Sequence, residues 1–370
     1  MVYLHVPFCR SFCTYCDFYS EIARRDRDAQ LFGSFTDAVC EEISRRRDEI
    51  EATRSLNTLY IGGGTPSVLP PDYLERIVST IRHLNDPFSE FTIEVNPEDI
   101  VEKGAGYVRD LLALGVNRVS MGVQSLDDGI LRWMNRRHDA AHARQAFHIL
   151  RDAGVGNISL DLIFGLPKLS ETILAQTLDE FAAWRPEHIS AYQLSIEDGS
   201  ALGRMAREGR FTEAPQEQCA AQYALICRRL QEAGYGHYEV SNWALPGFEA
   251  IHNSAYWSRH PYVGLGPSAH SFNGTTRFWN KDTLPPAEQD VSGGSLPLRG
   301  GKEVLSGKEA LEEQIMLGLR TAKGIPEGLP DAAQAAAAIA AGRLIRLPDS
   351  RLRIPEDYWF ISDDIIADLI

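Results

Sequence analysis

Six short runs of apolar and β-branched residues recur through roughly the first half of the 370-residue chain, and stretches with helical spacing separate them. Strand-to-strand steps of about 30 to 40 residues are typical of βαβ units, whose strands lie parallel. The predicted strands cover residues 2–7, 58–62, 91–95, 118–123, 158–164 and 189–195. Helices are predicted at 73–84, 107–114, 140–153, 171–184 and 216–233, and a further strand at 235–240. The alternation therefore predicts an α/β fold, a partial TIM-type (β/α)6 barrel.

The C-terminal part of the sequence has a different pattern. Residues 241–298 are rich in Gly, Pro, Asn, Trp and Tyr, which predicts a loop-rich section. Two helices are predicted at 308–320 and 332–341, followed by a hairpin with residues 348–350 at its turn. These elements predict a small α+β domain that is winged-helix-like. The predicted boundary lies near residue 290 and divides the chain into 1–290 and 291–370.

The charge and hydropathy of the chain exclude two classes of partner. Acidic residues outnumber basic ones, 51 against 37, so the formal net charge is −14. This disfavours nucleic acid, whose phosphates select basic surfaces. No stretch approaches the ~18 uninterrupted apolar residues of a transmembrane segment, and the N-terminal residues lack the basic start of a signal peptide. The expected location is therefore the cytoplasm.

Polar or glycine-rich residues lie within or directly after each of the six predicted strands. They are the segment CRSFCTYC, the segment GGGTP, Glu94, Gln124, Asp161 and Ser195. Because parallel barrel strands bring their carboxyl ends to one rim, these residues are expected to form one composite site.

Cys9, Cys13 and Cys16 have the spacing C-x3-C-x2-C on the loop after the first strand. Three thiolates on one short loop can each bind one iron of a cubane cluster and leave the fourth iron open to a small molecule. The alternatives are a zinc site with His5 as a fourth ligand, or thiols without a metal. The remaining cysteines are scattered and are predicted to be small core residues.

The glycines and rim residues admit two interpretations. Gly62, Gly63 and Gly64 allow a ligand to approach the backbone closely, but a tight strand-to-helix turn would need them equally. Glu94, Gln124, Arg136 and Asp161 are either ligand contacts or structural polar residues, and their arrangement around one rim favours the first interpretation.

Taken together, these motifs resemble the radical S-adenosylmethionine (SAM) superfamily, and within it the branch of oxygen-independent coproporphyrinogen oxidase. The segments YLHVPFCRSFCTYCDF and GGGTP and the later strand-end residues occur in the family's order. The resemblance implies that Cys9, Cys13 and Cys16 bind a 4Fe-4S cluster, which receives an electron from a separate donor and cleaves SAM. It also implies SAM contacts from Tyr3, Gly63, Gly64, Thr65, Glu94, Gln124, Arg136, Asp161 and Ser195.

Two departures from the oxidase resemble the HemW group of heme chaperones instead. Asp17 and Phe18 stand where the oxidase has its fourth cysteine, and only eight residues precede the first cluster cysteine. The segment HNSAYW, which begins at His252, matches the HNxxYW motif of that group.

A heme site can be argued from residues only in part. The imidazole of His252 is a suitable axial ligand for heme iron, and Tyr256 and Trp257 offer apolar faces. The alternative is a hydrogen-bonded histidine with aromatic residues packed over the barrel, and His270 is the competing ligand. The anionic heme propionates would need a basic contact that the sequence does not locate.

The resemblance implies a heme chaperone that binds heme and passes it to acceptor proteins, respiratory ones among them, with membrane contact only through such partners. The alternative is an oxygen-independent coproporphyrinogen III dehydrogenase that decarboxylates two propionates to vinyl groups. A third hypothesis is a radical SAM enzyme with another substrate.

Overall fold

A computed structural model of the chain describes residues 1–24, 27–85, 87–284 and 299–370. Its centre is one nine-stranded sheet, in which seven adjacent strands run parallel to one another. In chain order the nine strands are β1 (Val2–Val6), β2 (Thr58–Gly63), β3 (Glu90–Val95), β4 (Arg118–Gln124), β5 (Ile158–Phe164), β6 (His188–Gln193), β7 (Gly236–Glu239), β8 (Asn242–Ala244) and β9 (Val263–Leu265). Their spatial order is β9-β1-β2-β3-β4-β5-β6-β8-β7.

The helices cover the outer face of this sheet and follow the strands in the expected alternation. They are α1 (Asp28–Arg45), α2 (Arg47–Ala52), α3 (Pro71–Asn85), α4 (Pro97–Ala113), α5 (Asp128–Trp133), α6 (Ala140–Asp152), α7 (Glu171–Trp184), α8 (Ala201–Arg207) and α9 (Gln216–Glu232). The strands bury apolar side chains on both faces, and the helices bury one stripe, which together form a single apolar core. The α/β prediction and its six parallel strands are confirmed.

The predicted loop-rich section contains more regular structure than expected. It holds β8, β9, helix α10 (Ile251–Trp257) and strands β10 (His270–Phe272) and β11 (Thr276–Asn280). β9 adds a parallel strand beside β1, whereas the strand predicted at 235–240 lies at the opposite edge as β7. These strands are only three to five residues long, so their sequence periodicity is too short to identify them.

The C-terminal elements follow the predicted order of helix, helix and hairpin. They are β12 (Arg299–Val304), α11 (Gly307–Leu319), β13 (Ile325–Pro326), α12 (Ala332–Ala340), β14 (Ile345–Arg346), β15 (Arg351–Arg353) and α13 (Ser362–Ala367). β14 and β15 form the hairpin, and β13 pairs with β15 as a third strand. The predicted boundary near residue 290 lies outside the described residues, and the division into 1–290 and 291–370 stays a prediction. β12 pairs with β11 across that interval.

None of the helices in the described part of the chain combines the length and the apolar composition needed to cross a bilayer.

Candidate functional site

A cavity of about 1060 Å³ lies inside the barrel and opens at the carboxyl ends of the strands. The residues that line it come from the cluster loop, from the ends of β2 to β6 and from α10. Most of the sequence-predicted site residues are among them: Cys9, Cys13, Cys16, Gly63, Gly64, Thr65, Glu94, Gln124, Arg136, Asp161 and Ser195. The structure therefore brings together residues that span nearly two hundred positions of sequence.

The loop that carries the three cysteines is held by backbone hydrogen bonds from several elements. Thr14 N donates to Met134 O at 3.2 Å, and Leu202 N donates to Thr14 O at 2.9 Å. The side-chain amide of Asn135 donates to Phe12 O at 2.7 Å. These contacts fix the loop at the mouth of the cavity without using a cysteine side chain.

The three thiols are free and half-buried, and polar groups face two of them. Thr65 Oγ1 lies 3.5 Å from Cys9 Sγ, and Arg136 Nη1 donates to Cys13 Sγ at 3.5 Å. Burial raises the pKa of Cys9, and it raises the pKa of Cys16 to about 11. Without a metal the thiols of Cys9 and Cys16 are protonated at neutral pH, so metal binding must release their protons.

This donor set fits an iron–sulfur cluster better than a single zinc ion. Among the described residues no three His, Cys, Asp or Glu side chains converge closely enough to hold one ion. A cubane cluster requires less convergence, because each thiolate binds an iron at a separate corner. His5 is not free as a zinc ligand, since Nδ1 contacts the Tyr3 hydroxyl at 3.2 Å and Nε2 contacts Tyr19 O at 2.8 Å.

The glycine turn after β2 packs directly against the cluster loop. Gly64 N donates to Val6 O at 2.9 Å, and a Cβ on Gly64 would lie 2.9 Å from the backbone of Phe8. Gly63 has φ +107°, and a Cβ there would lie 2.5 Å from the ring of His5. Both interpretations of these glycines hold, because the turn is tight and also exposes its backbone to the cavity.

Two carboxyl groups lie deeper in the cavity. Glu94 Oε1 accepts from the Tyr60 hydroxyl at 2.8 Å, and Oε2 accepts from Gly63 N at 3.1 Å. Asp161 accepts from Ser120 Oγ at 3.1 Å. Burial raises the pKa of Glu94 to about 7 and the pKa of Asp161 to about 6. Near neutral pH each can accept hydrogen bonds from hydroxyl groups such as those of a ribose.

Arg136 and Gln124 meet at the rim. Arg136 Nη2 donates to Asn96 Oδ1 at 2.7 Å and to Gly122 O at 2.8 Å, which holds the guanidinium beside the cluster loop. Gln124 has φ +66°, a left-handed conformation that is uncommon for a residue with a side chain. Such strain concentrates at binding sites, where the surrounding structure compensates for it.

Two of the predicted SAM contacts lie apart from the others, Ser195 at the exposed mouth and Tyr3 behind the cavity wall. Ser195 is exposed at the mouth, and its hydroxyl donates to Glu197 Oε1 at 2.6 Å. Tyr3 lies on β1, bonded to His5, and is not among the residues that line the cavity.

The HNSAYW segment forms α10 and closes the end of the barrel opposite the cluster. Its His252 is buried, with Nδ1 2.8 Å from Thr58 Oγ1 and Nε2 3.0 Å from the Tyr256 hydroxyl. Burial lowers the pKa of His252 to about 3. This is the hydrogen-bonded arrangement that the sequence left open as an alternative, and only Asn253 of the segment lines the cavity.

His270 has a different environment. It is exposed at the start of β10, and its ring stacks on Trp279 with centroids 5.9 Å apart. Of the two candidate heme ligands, His270 is therefore the one that a large ligand can reach without rearrangement of the fold.

Sequence reasoning missed many of the polar residues that line the cavity, among them Tyr60, Asn96, Arg118 and Tyr192. A pattern in β4 could have identified Arg118. Alternate strand residues share one face, and Arg118, Ser120, Gly122 and Gln124 all line the cavity. An arginine at the start of that face is unusual in an otherwise apolar strand.

The sequence matches the radical SAM superfamily over residues 3–181. It is 34% identical to the heme chaperone HemW of Lactococcus lactis, over 87% of this chain and 82% of that protein. The heme chaperone HemW of Mycobacterium tuberculosis is 33% identical, over 100% of this chain and 94% of the relative. Among solved structures, coproporphyrinogen III oxidase (HemN) from Escherichia coli superposes with a TM-score of 0.79 at 20% identity, over 99% of this chain and 89% of that one. The likeness to that enzyme shows a shared fold.

Proposed function

The chain belongs to the HemW family within the radical SAM superfamily, and from this premise we propose that it binds heme and transfers it to acceptor proteins. The observation that carries the proposal is the identity of about one third to proteins named heme chaperones, over almost the full length of both chains. Phe18, which is 70% exposed beside the cluster loop, supports it, since it stands where the resemblance implies a fourth cysteine in the oxidase.

A 4Fe-4S cluster and SAM are part of this proposal. Cys9, Cys13 and Cys16 would hold the cluster, and SAM would lie along the glycine turn, with Glu94 and Asp161 positioned to accept from its ribose and Arg136 beside the cluster loop. The glycine turn fits such a ligand, because a Cβ at Gly62 would lie 2.8 Å from the carboxyl group of Glu94. When bound, the cluster would supply one electron at the mouth of the cavity.

The residues of the chain position these groups and exclude water. Arg136, fixed by Asn96 and Gly122, places a positive charge against the Cys13 sulfur. Tyr60 and Gly63 orient the Glu94 carboxylate by donating to one oxygen each. Apolar core residues surround the barrel on all sides below the rim, which limits solvent to the open mouth.

The heme ligand is either His252 or His270. His270 is exposed on β10, whereas His252 would have to break two hydrogen bonds before it could bind iron. We therefore propose His270 as the first residue to test and His252 as the alternative. The acceptors, the electron donor and a cytoplasmic location with membrane contact only through partners remain parts of the proposal.

The test is anaerobic cluster reconstitution, followed by parallel heme titration and coproporphyrinogen turnover assays. Stoichiometric heme binding without turnover supports the chaperone. SAM-dependent formation of protoporphyrinogen would instead establish the dehydrogenase. A metal analysis that finds one zinc in place of four irons would contradict the cluster.

Single alanine variants at His252 and His270 then identify the iron ligand. The ligand's variant should lose the Soret absorption of axially ligated heme and keep the absorption of the iron–sulfur cluster. His148→Ala, on the exposed face of α6, is the matched control for loss of a histidine.

A further inference from the structure

Arg118 is a buried arginine that contacts no hydrogen-bond or ion-pair partner among the described residues. It is 1% exposed, its Nε has no hydrogen-bond partner, and its guanidinium forms no ion pair with any residue in the described part of the chain. Removing a charge from water is costly unless another group compensates for it. Glu94 and Asp161 compensate part of this charge from a distance, since Arg118 lowers the pKa of both carboxyl groups. Neither contacts the guanidinium, so its open donor points to a further group that is not part of the polypeptide.

The other cationic residues of the cavity differ from Arg118. Arg136 bonds to Asn96 and Gly122, Arg137 pairs with Glu98, and Arg10 pairs with Asp28. Arg204 is exposed at the mouth. Arg118 is the buried arginine of this cavity whose donors are left open.

The position of Arg118 separates it from the cluster and SAM end of the cavity. It begins β4, whereas Gln124 ends the same strand at the rim, so their backbones lie about 20 Å apart. Glu94 and Asp161 act on Arg118 only through the field of their charges, since neither carboxyl group lies within ion-pair distance of its guanidinium. The walls beside it supply neutral donors from Ser190 and Asn253.

The carboxyl groups of Glu94 and Asp161 line the same cavity, but the guanidinium itself has an open donor and lies beside neutral hydroxyl and amide groups. Such a guanidinium is suited to a carboxylate, which accepts two parallel N–H bonds from the guanidinium fork. The carboxylate of SAM would be taken by the cluster at the mouth. A second ligand must therefore supply the carboxylate, and both candidate functions involve a tetrapyrrole with propionate side chains.

We propose that Arg118 binds a propionate carboxylate of a tetrapyrrole that enters the barrel beyond the SAM site. The proposal rests on the proposed function for the identity of the tetrapyrrole, heme. A heme in this position favours His252 over His270 as the iron ligand, because α10 borders the cavity and His270 does not line it. Arg118 would then be the basic group that the heme propionates need and that sequence reasoning did not locate.

The experiment compares the reconstituted wild-type chain with Arg118→Gln, using heme, heme dimethyl ester and coproporphyrin III as ligands. Loss of a charge-assisted hydrogen bond should weaken heme binding roughly 10- to 100-fold. The ester lacks the charge, so its affinity should change less than about twofold. Arg204→Gln, which removes an exposed charge from the same cavity, is the matched control and should have little effect.

Each other outcome is decisive. Equal losses for heme and its ester, or an equal loss in Arg204→Gln, would overturn the proposal. So would unchanged heme affinity in Arg118→Gln. If the wild type binds no heme, the proposed function fails, and the coproporphyrin titration then tests the carboxylate site alone. A coproporphyrin affinity that falls in Arg118→Gln would support that site. Absence of coproporphyrin binding, or an equal affinity in the two proteins, would contradict it.

Two further variants test whether a folding defect, and not the loss of a contact, explains weaker heme binding. Arg118→Lys keeps the charge but loses the fork, so it should bind heme with intermediate affinity. Arg118→Met without ligand should melt close to the wild type, because no direct contact is lost and Glu94 and Asp161 can take up protons once the charge that lowers their pKa is removed. A large drop in melting temperature would show a structural role instead.

Discussion

At the level of single residues, the carboxyl group of Glu94 combines burial with two hydrogen-bond donors. Burial raises its pKa to about 7, while the Tyr60 hydroxyl opposes that shift. Ligand hydroxyls donate better to the ionised form, and this form becomes populated only as the pH rises through about 7. A ligand that bonds to Glu94 therefore couples its affinity to this ionisation.

We expect the affinity of the reconstituted protein for SAM to rise between pH 6 and pH 8 and then level off. Glu94→Gln, which cannot ionise, should flatten this rise. Tyr60→Phe removes a donor that lowers the Glu94 pKa, so it should move the midpoint to higher pH. Equilibrium dialysis of SAM across this range measures all three profiles. A wild-type profile that is flat or falls with pH would contradict the role of Glu94.

Gly63 and Gly154 share a positive φ but differ in their surroundings. A Cβ on Gly63 would lie 2.5 Å from the His5 ring, whereas a Cβ on Gly154 would meet nothing within 4 Å. Gly154→Ala should cost only backbone strain, about 1–2 kcal/mol. Gly63→Ala adds a steric overlap and should cost about 2–5 kcal/mol of unfolding free energy.

Urea denaturation of the two metal-free variants measures this difference. The comparison isolates the close approach between the glycine turn and His5, because both variants carry similar backbone strain. Equal losses would show that His5 moves aside without cost.

At the level of elements, the parallel strands could be predicted and the site-closing helix could not. The six strands bury both faces, so each appears in the sequence as an apolar run that ends near its true boundary. The sequence pattern predicts helix α4 only from residue 107, because glycines interrupt the helical spacing before that residue. In the structure Gly104 has φ +70° and kinks the helix after its first two turns. The role of α10 depends on contacts with Thr58 and Glu90, which are distant in sequence, and no local pattern reports those contacts.

The position of the site could be predicted for a related reason. Chain direction alone places the carboxyl ends of parallel strands at one rim, so the residues after each strand were expected to meet there. Arg118 lies at the amino end of its strand, so this reasoning did not predict it as a site residue. Sequence reasoning left open whether His252 faces a ligand or the fold, because residue type alone does not specify which way a side chain points.

Helix α10 gives a prediction at this level. The Glu90 carboxylate accepts from Ile251 N at 2.7 Å and from His252 N at 3.0 Å, and the His252 ring bridges Thr58 and Tyr256. His252→Ala leaves a void and two hydroxyl groups without partners, so it should lower the unfolding free energy by about 2–4 kcal/mol.

Urea denaturation without heme tests this prediction. His148→Ala on α6 should change the stability by less than about 0.5 kcal/mol, because that side chain is exposed. An unchanged stability in His252→Ala would show that the histidine is held for a ligand and not for the fold.

At the level of the whole molecule, an aromatic column joins the barrel sheet to the C-terminal elements. Trp243 on β8 stacks on His237 of β7 with centroids 4.1 Å apart, and Trp359 packs edge-on against His237 at 4.2 Å. Trp359 is 1% exposed, and its Nε1 donates to Ile354 O at 2.9 Å. Glu313 of α11 adds an ion pair with Arg259 at 2.6 Å.

Because Trp359 belongs to the C-terminal elements and packs on the barrel edge, its removal should destabilise both parts together. We expect Trp359→Ala to lower the unfolding free energy by about 3–5 kcal/mol. The urea transitions of far-ultraviolet circular dichroism and of tryptophan fluorescence should remain coincident, since both report one cooperative unit. Tyr358→Ala, next to it but 38% exposed, is the control and should have a small effect. If the variant instead shows an early transition for the C-terminal elements and an unshifted one for the barrel, the two parts fold independently, and the interface serves only to position them.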